Sequence, residues 1–262
     1  MSKQTKQAKQ AKQATPNGRI IYRGASMLDG SPIVVIAIGF KVSSKNAKTG
    51  NLIQTYILRD DVSPLDAIKM GADASICGDC VHRGRDGKKR TCYVNVGQGA
   101  TQVYKAFLKG NYPEWDGTGV AGRLVRLGTY GDPAAVPAYV WERFLRDAVG
   151  HTGYTHQWRD PAFSWLSRYA MASADTETEA KLAQSNGWRT FRVALPSHTK
   201  RIKSEAMCPA SEEAGKKLTC DTCLACNGIG TGRRGSIVIQ AHGGTAVMAN
   251  VKRLDASGLL AA

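Results

Sequence analysis

The seven cysteines of this 262-residue chain fall into two groups. Cys77, Cys80 and Cys92 form C-x2-C-x11-C, and Cys208, Cys220, Cys223 and Cys226 form C-x11-C-x2-C-x2-C, with no cysteine between the groups. Thiols so closely spaced are expected to be metal ligands or redox groups. Four thiolates saturate a tetrahedral zinc or a cubane iron–sulfur cluster, whereas three leave one metal position open for a substrate, a water or a cofactor. The run C-x2-C-x2-C resembles the ferredoxin pattern, while structural zinc usually takes two separated pairs, so the second group leans to iron–sulfur with zinc as the alternative. In the first group His82, two residues beyond Cys80, offers a Cys3His zinc site as the competing arrangement.

The sequence holds no apolar run long enough to span a membrane and no charged end followed by an apolar stretch, so a cytoplasmic protein without a membrane partner is expected. A reducing compartment disfavours structural disulfides, and an odd thiol count fits a disulfide framework poorly.

Lys and Arg number 36 against 21 Asp and Glu, a net charge of +15. Lys3, Lys6, Lys9 and Lys12 lie in a low-complexity segment, read as a disordered basic arm over residues 1–17, which leaves about +11 for the folded part. That balance favours a polyanionic partner, nucleic acid (DNA ahead of RNA) or a nucleotide. Between Cys80 and Cys92 the stretch HRGRDGKKR, with Arg83, Arg85, Lys88, Lys89 and Arg90, is either a metal-anchored loop for phosphates or a solvated loop.

The elements that must position these groups follow from periodicity. SPIVVIAIGF and NLIQTYILR flank a turn-rich segment and predict a β-hairpin. SPLDAIKMG predicts a short helix with Ser63 as N-cap, Pro64 at the first position and Gly71 at the end. TQVYKAFLKG, VPAYVWERFLRDAVG and TETEAKLAQSNG predict helices, and GRLVRLGTYGDP, HTGYTHQW, SRYAMASADT, WRTFRVALP and RRGSIVIQ predict strands. Such alternation argues for parallel strands with crossover helices in an α/β domain, whose ligands bind at the carboxyl ends of the strands. The loops to watch are therefore 129–133, 155–159, 173–178 and 196–201. HTGYTHQWR, with His156, could stack on a base or position a substrate, and Asp175 and Glu177 are either acid–base groups or the acidic start of a helix.

A cysteine triad followed by Tyr93, ahead of an incomplete βα series, resembles the phage and plasmid proteins grouped near the radical S-adenosylmethionine enzymes. Their C-x3-C-x2-C motif differs in spacing from the C-x2-C-x11-C here. The resemblance implies a partial (β/α) barrel-like parallel sheet, with the N-terminal hairpin and cysteine-rich segments at 72–97 and 205–230, in one domain over 18–255 before a tail at 256–262. It implies that Cys77, Cys80 and Cys92 hold a [4Fe-4S] cluster that binds S-adenosylmethionine, beside Tyr93, and that Cys208, Cys220, Cys223 and Cys226 hold an auxiliary cluster or a structural site. Asp132, in the YGDP turn that begins at Tyr130, would meet the methionine amine. The expected activity is reductant-dependent modification of a nucleic-acid base or nucleotide in a phage-infected or plasmid-bearing host. The competing expectation is a non-catalytic, zinc-stabilised nucleic-acid-binding protein.

Overall fold

The computed structural model describes residues 16–44, 46–84, 89–195, 200–215, 217–229 and 235–256. The basic arm up to residue 15, part of the basic loop (85–88), part of the 196–201 loop and the tail from 257 lie outside them. In chain order the elements are β1 Gly18–Ala25, β2 Pro32–Ile38, β3 Leu52–Arg59, α1 Pro64–Met70, α2 Ala74–Cys77, α3 Gly99–Leu108, β4 Leu124–Tyr130 and α4 Ala138–Leu145. They continue as β5 Gly150–Thr152, β6 Tyr154–Thr155, β7 Met171–Ala174, α5 Glu177–Ser185, β8 Thr190–Ala194, β9 Glu205–Met207, α6 Cys220–Cys223, β10 Ser236–Gln240 and α7 Thr245–Ala256.

The expected hairpin forms, β2 pairing antiparallel with β3. An unanticipated β1 joins its outer edge, and β4 and β5 add parallel to the other, giving the order β1-β2-β3-β4-β5. The second sheet, β6-β7-β8-β10-β9, is parallel throughout. The two sheets share one extended segment. Its first half, β5, pairs with β4 and its second half, β6, with β7, and they meet at Gly153, whose N–H donates to Cys226 O at 2.9 Å. Among the described residues no pairing joins β1 to β9, so the strands do not close into a barrel.

Ile33, Val34, Val35 and Ile36 of β2 are fully buried, because β2 sits inside the sheet and is covered on both faces. Each such side chain contributes roughly 1.5–3 kcal/mol relative to exposure. α1, α2 and α3 pack on β3, and α4 buries Trp141 and Phe144. α1 begins and ends as its sequence dictates: Ser63 Oγ accepts from Asp66 N, Pro64 opens the first turn, and Gly71 takes the left-handed conformation (φ 74°) that closes it. Thr176 caps α5 in the same way, accepting from Glu179 N at 3.0 Å. Between β6 and β7, where the sequence predicts no helix, the chain makes two 3-10 turns, Gln157–Arg159 and Pro161–Arg168, which bury Trp158, Phe163 and Leu166.

Asn17, at the end of the supposed arm, already belongs to the fold. Its carbonyl accepts from Gly39 N and Phe40 N and its side chain from Lys41 N and Val42 N. The segment before the tail is also ordered, as α7. No helix among the described residues is long and apolar enough to cross a membrane.

Candidate metal centre

The pleat sends alternate residues to one side, and here that side faces a cavity of about 350 Å³. Arg126, Gly128 and Tyr130 of β4 line it, followed by Thr152, Tyr154 and His156 from the shared segment. Phe191, Val193 and Leu195 continue the alternation on β8, and Ile237, Ile239 and Ala241 on β10. The size falls within the roughly 300–1,000 Å³ of small-molecule and cofactor sites. All seven cysteines border this single cavity.

A β-bulge re-aims the end of β4. Gln54 pairs with Arg126 but Tyr56 with Tyr130, so the pairing skips residues of β4, and Gly128 takes φ 62°. Thr55 Oγ1 bridges the irregularity, donating to Arg126 O at 3.0 Å and accepting from Gly128 N at 2.9 Å.

Local hydrogen bonds assemble the first thiol group. Cys77 ends α2, and Cys80 N donates to Cys77 O. The carbonyl of His82 accepts from both Thr91 N and Cys92 N, at 3.1 and 3.0 Å, which folds the eleven-residue spacer back and returns Cys92 to its partners. Arg83, read as part of either a phosphate-contacting or a solvated loop, is instead buried: its guanidinium holds Asp73 at 2.7 Å and the carbonyls of Gly71 and Gly78. Arg90 also turns inward, towards Cys92, Cys77 and Tyr130, while Lys89 is exposed.

The second group is braced from three directions. Cys208 N donates to Val238 O on β10, Cys220 N to Lys48 O in the hairpin turn, and the Cys226 carbonyl accepts from Gly153 at the sheet joint. After Cys223 the chain reverses through Leu224, whose left-handed conformation (φ 48°) is uncommon for a branched side chain. Arg189 secures the return by donating to the carbonyls of Ala225, Gly228 and Gly235.

Burial raises Cys77 well above the ordinary thiol range, and the neighbouring Cys80 and Cys92 raise it further. Burial pushes Cys80 up to about 11, and burial with crowding by Cys208, Cys220 and Cys223 pushes Cys226 up to about 12. Burial of this kind keeps the thiols protonated at neutral pH. Their spacing is informative. Thiolates on one tetrahedral zinc stand roughly 3.8 Å apart, given Zn–S bonds of about 2.3 Å. Among the described residues only His82, His156 and Asp175 form a trio of metal-ligating atoms all within 4.8 Å of one another; neither cysteine group is so tight.

Tyr130 is 2% exposed, and its hydroxyl has no hydrogen-bond partner among the described residues although it borders the cavity. Asp132 is buried, accepting at Oδ1 from Ala134 N (2.9 Å) and at Oδ2 from His156 N (2.8 Å). Burial raises its pKa in spite of these N–H groups. His156 Nε2 lies 3.8 Å from Cys80 Sγ. His82 does not turn to the cysteines: its Nε2 is 2.7 Å from Asp175 Oδ1 and its Nδ1 2.7 Å from Thr91 Oγ1. Tyr93 is half-exposed with its ring near His242, still on the cavity wall. Glu177 stays on the surface of α5, 3.9 Å from Lys181, and takes no part in the cavity.

Arg126 and Tyr154 escape sequence reasoning. Arg126 is 9% exposed, makes no ion pair among the described residues, and lies over the Tyr154 ring at 5.3 Å. Tyr93 and Tyr154, and after them Cys220 and Cys226, are its nearest ionisable neighbours. The sequence signal was an arginine at an alternate position in an otherwise apolar strand, LVRLGTY. Comparison of the chain with family models, with curated proteins and with solved structures gives no match, so the site is interpreted from its own geometry.

Proposed function

We propose that the protein is an iron–sulfur enzyme of the radical S-adenosylmethionine type, with Cys77, Cys80 and Cys92 holding a [4Fe-4S] cluster with one open iron and Cys208, Cys220, Cys223 and Cys226 a second, fully ligated one. The observation that carries this reading is that both thiol groups border one cavity lined by alternate residues of the parallel strands. The C-x2-C-x2-C run of Cys220, Cys223 and Cys226 resembles cluster-ligating spacing more than the separated pairs of structural zinc. The strand arrangement, read as an open relative of a (β/α) barrel, agrees with this.

Bound together, cluster and S-adenosylmethionine would supply a carbon-centred radical. The chain's own residues do the rest. Arg126 offsets negative charge beside Cys220 and Cys226, apolar side chains of β8 and β10 exclude water, and the unpaired Tyr130 hydroxyl offers a hydrogen-bond donor to whatever occupies the cavity. The substrate we assign is a nucleic-acid base or nucleotide, DNA ahead of RNA, on the strength of the net charge of +15.

Anaerobic isolation followed by iron, acid-labile sulfide and zinc analysis tests the reading. Iron and sulfide in equal amounts, with a change in the electron paramagnetic resonance of the reduced protein on adding S-adenosylmethionine, is the expected result. A colourless protein with stoichiometric zinc and no sulfide would overturn it and leave a zinc-stabilised binding protein.

A further inference from the structure

His82, His156 and Asp175 come from three separate places. His82 sits in the turn after Cys80, while His156 and Asp175 each follow the carboxyl end of adjacent parallel strands, β6 and β7. Their side chains are 14%, 18% and 3% exposed. Asp175 Oδ1 is 2.7 Å from His82 Nε2, and Oδ2 is 3.7 Å from His156 Nε2. Donors around one ion with bonds of about 2.0–2.2 Å stand roughly 3 Å apart, and these separations straddle that value.

Each donor is braced from behind. The Thr91 hydroxyl engages His82 Nδ1 and leaves Nε2 facing Asp175, Asp132 holds the His156 backbone, and Glu179 Oε2 accepts from Asp175 N at 2.7 Å. Such backing orients histidine and carboxylate ligands. A simple ion pair would need only His82 and Asp175. The convergence of a second imidazole on the other carboxylate oxygen is a feature that an ion pair does not require.

We propose that His82 Nε2, His156 Nε2 and the Asp175 carboxylate bind one divalent transition-metal ion, of the iron(II) or zinc(II) class, beside the Cys77, Cys80 and Cys92 centre. Two histidines and one carboxylate leave further coordination positions open, as in mononuclear iron(II) sites. Both histidines border the cavity, so those positions face the space where a substrate would lie. The inference needs no iron–sulfur cluster and stands or falls separately from that reading.

The test is titration of the anaerobically isolated protein, its thiol-held metal in place, with Co²⁺, following weak d–d absorption and bound metal after gel filtration. One equivalent is expected to bind without a new sulfur-to-cobalt charge-transfer band. Asp175→Asn and His156→Gln should each weaken binding by at least about 100-fold, and Thr91→Val, which keeps all three ligands, by about 10–100-fold. No Co²⁺ uptake by the parent protein, or equal uptake by the parent and all three variants, overturns the proposal. Absence of sulfide in the isolated protein would sink the iron–sulfur reading and leave this result untouched.

Discussion

The backbone N–H of His156 donates to Oδ2 of Asp132 at 2.8 Å, so the loop after β4 fixes the residue that follows β6. Asp132 spends its other oxygen on Ala134 N. It is thus a brace between strand ends as well as a cavity wall. Asp132→Ala leaves two buried N–H groups without acceptors, at about 1–3 kcal/mol each, and Asp132→Asn, which keeps one oxygen, should cost less. Denaturant unfolding of the two variants measures the difference.

The bulge in β4 depends on one hydroxyl. Thr55→Val removes the group that satisfies both Arg126 O and Gly128 N and is expected to lower stability by about 1–3 kcal/mol. Gly128→Ala should be at least as damaging, since its left-handed conformation disfavours a side chain and a Cβ would strike the Gly131 carbonyl. Melting curves, read beside metal content, show whether the bulge positions the site or only the strand.

Arg192 of β8 and Glu205 of β9 form a fully buried pair across β10, with two contacts of 2.7 Å. Glu205→Gln is expected to cost about 3–5 kcal/mol, because a buried guanidinium loses its countercharge. The double change Arg192→Met with Glu205→Leu should recover most of that loss. Equal instability of the single and double variants in denaturant titrations would refute this account.

The thiol groups should be separable. On the proposed two-cluster reading, serine at both Cys220 and Cys223 is expected to remove about half of the iron and sulfide and spare the response to S-adenosylmethionine. Serine at both Cys77 and Cys92 should remove the other half together with that response. Metal analysis and electron paramagnetic resonance of the two variants decide it.

His151 is held below the ordinary imidazole range by burial, which outweighs the nearby Asn227 and Tyr169 backbone groups, and its Nε2 has no partner among the described residues. The folded state therefore favours the neutral ring. Its contribution is complete above the unfolded pKa of about 6.5 and is lost as pH falls from there through the lower folded value. His151→Asn should flatten the decline in stability as pH falls below about 6.5. A slope identical to that of the parent protein would refute the assignment.

Local chemistry was legible in the sequence where it acts alone. Ser63, Pro64 and Gly71 announce α1, and Thr176 announces α5, because caps need only neighbours in the chain. The strand-end loops at 129–133, 155–159 and 173–178 were also evident, and Tyr130, Asp132, His156 and Asp175 come from them. Their partners were not. His82 meets Asp175 across 93 residues, and β9 pairs with β10 before β8 can reach it, so these relations arise only from strand order. β1 escaped notice because GRIIYRGA mixes arginines with few apolar positions, and α7 because its apolar face is weak. The basic loop misled in a different way: Arg83 reads as a surface charge, yet Asp73 draws it inside.

The segment shared by the two sheets gives the second thiol group a mechanical part. Its Gly153 joint is tied to the Cys226 carbonyl, so the loop that carries the second thiol group is anchored where the two sheets meet. A strain in that loop reaches both sheets at once through a single hydrogen bond, while Cys77, Cys80 and Cys92 are held by their own local bonds.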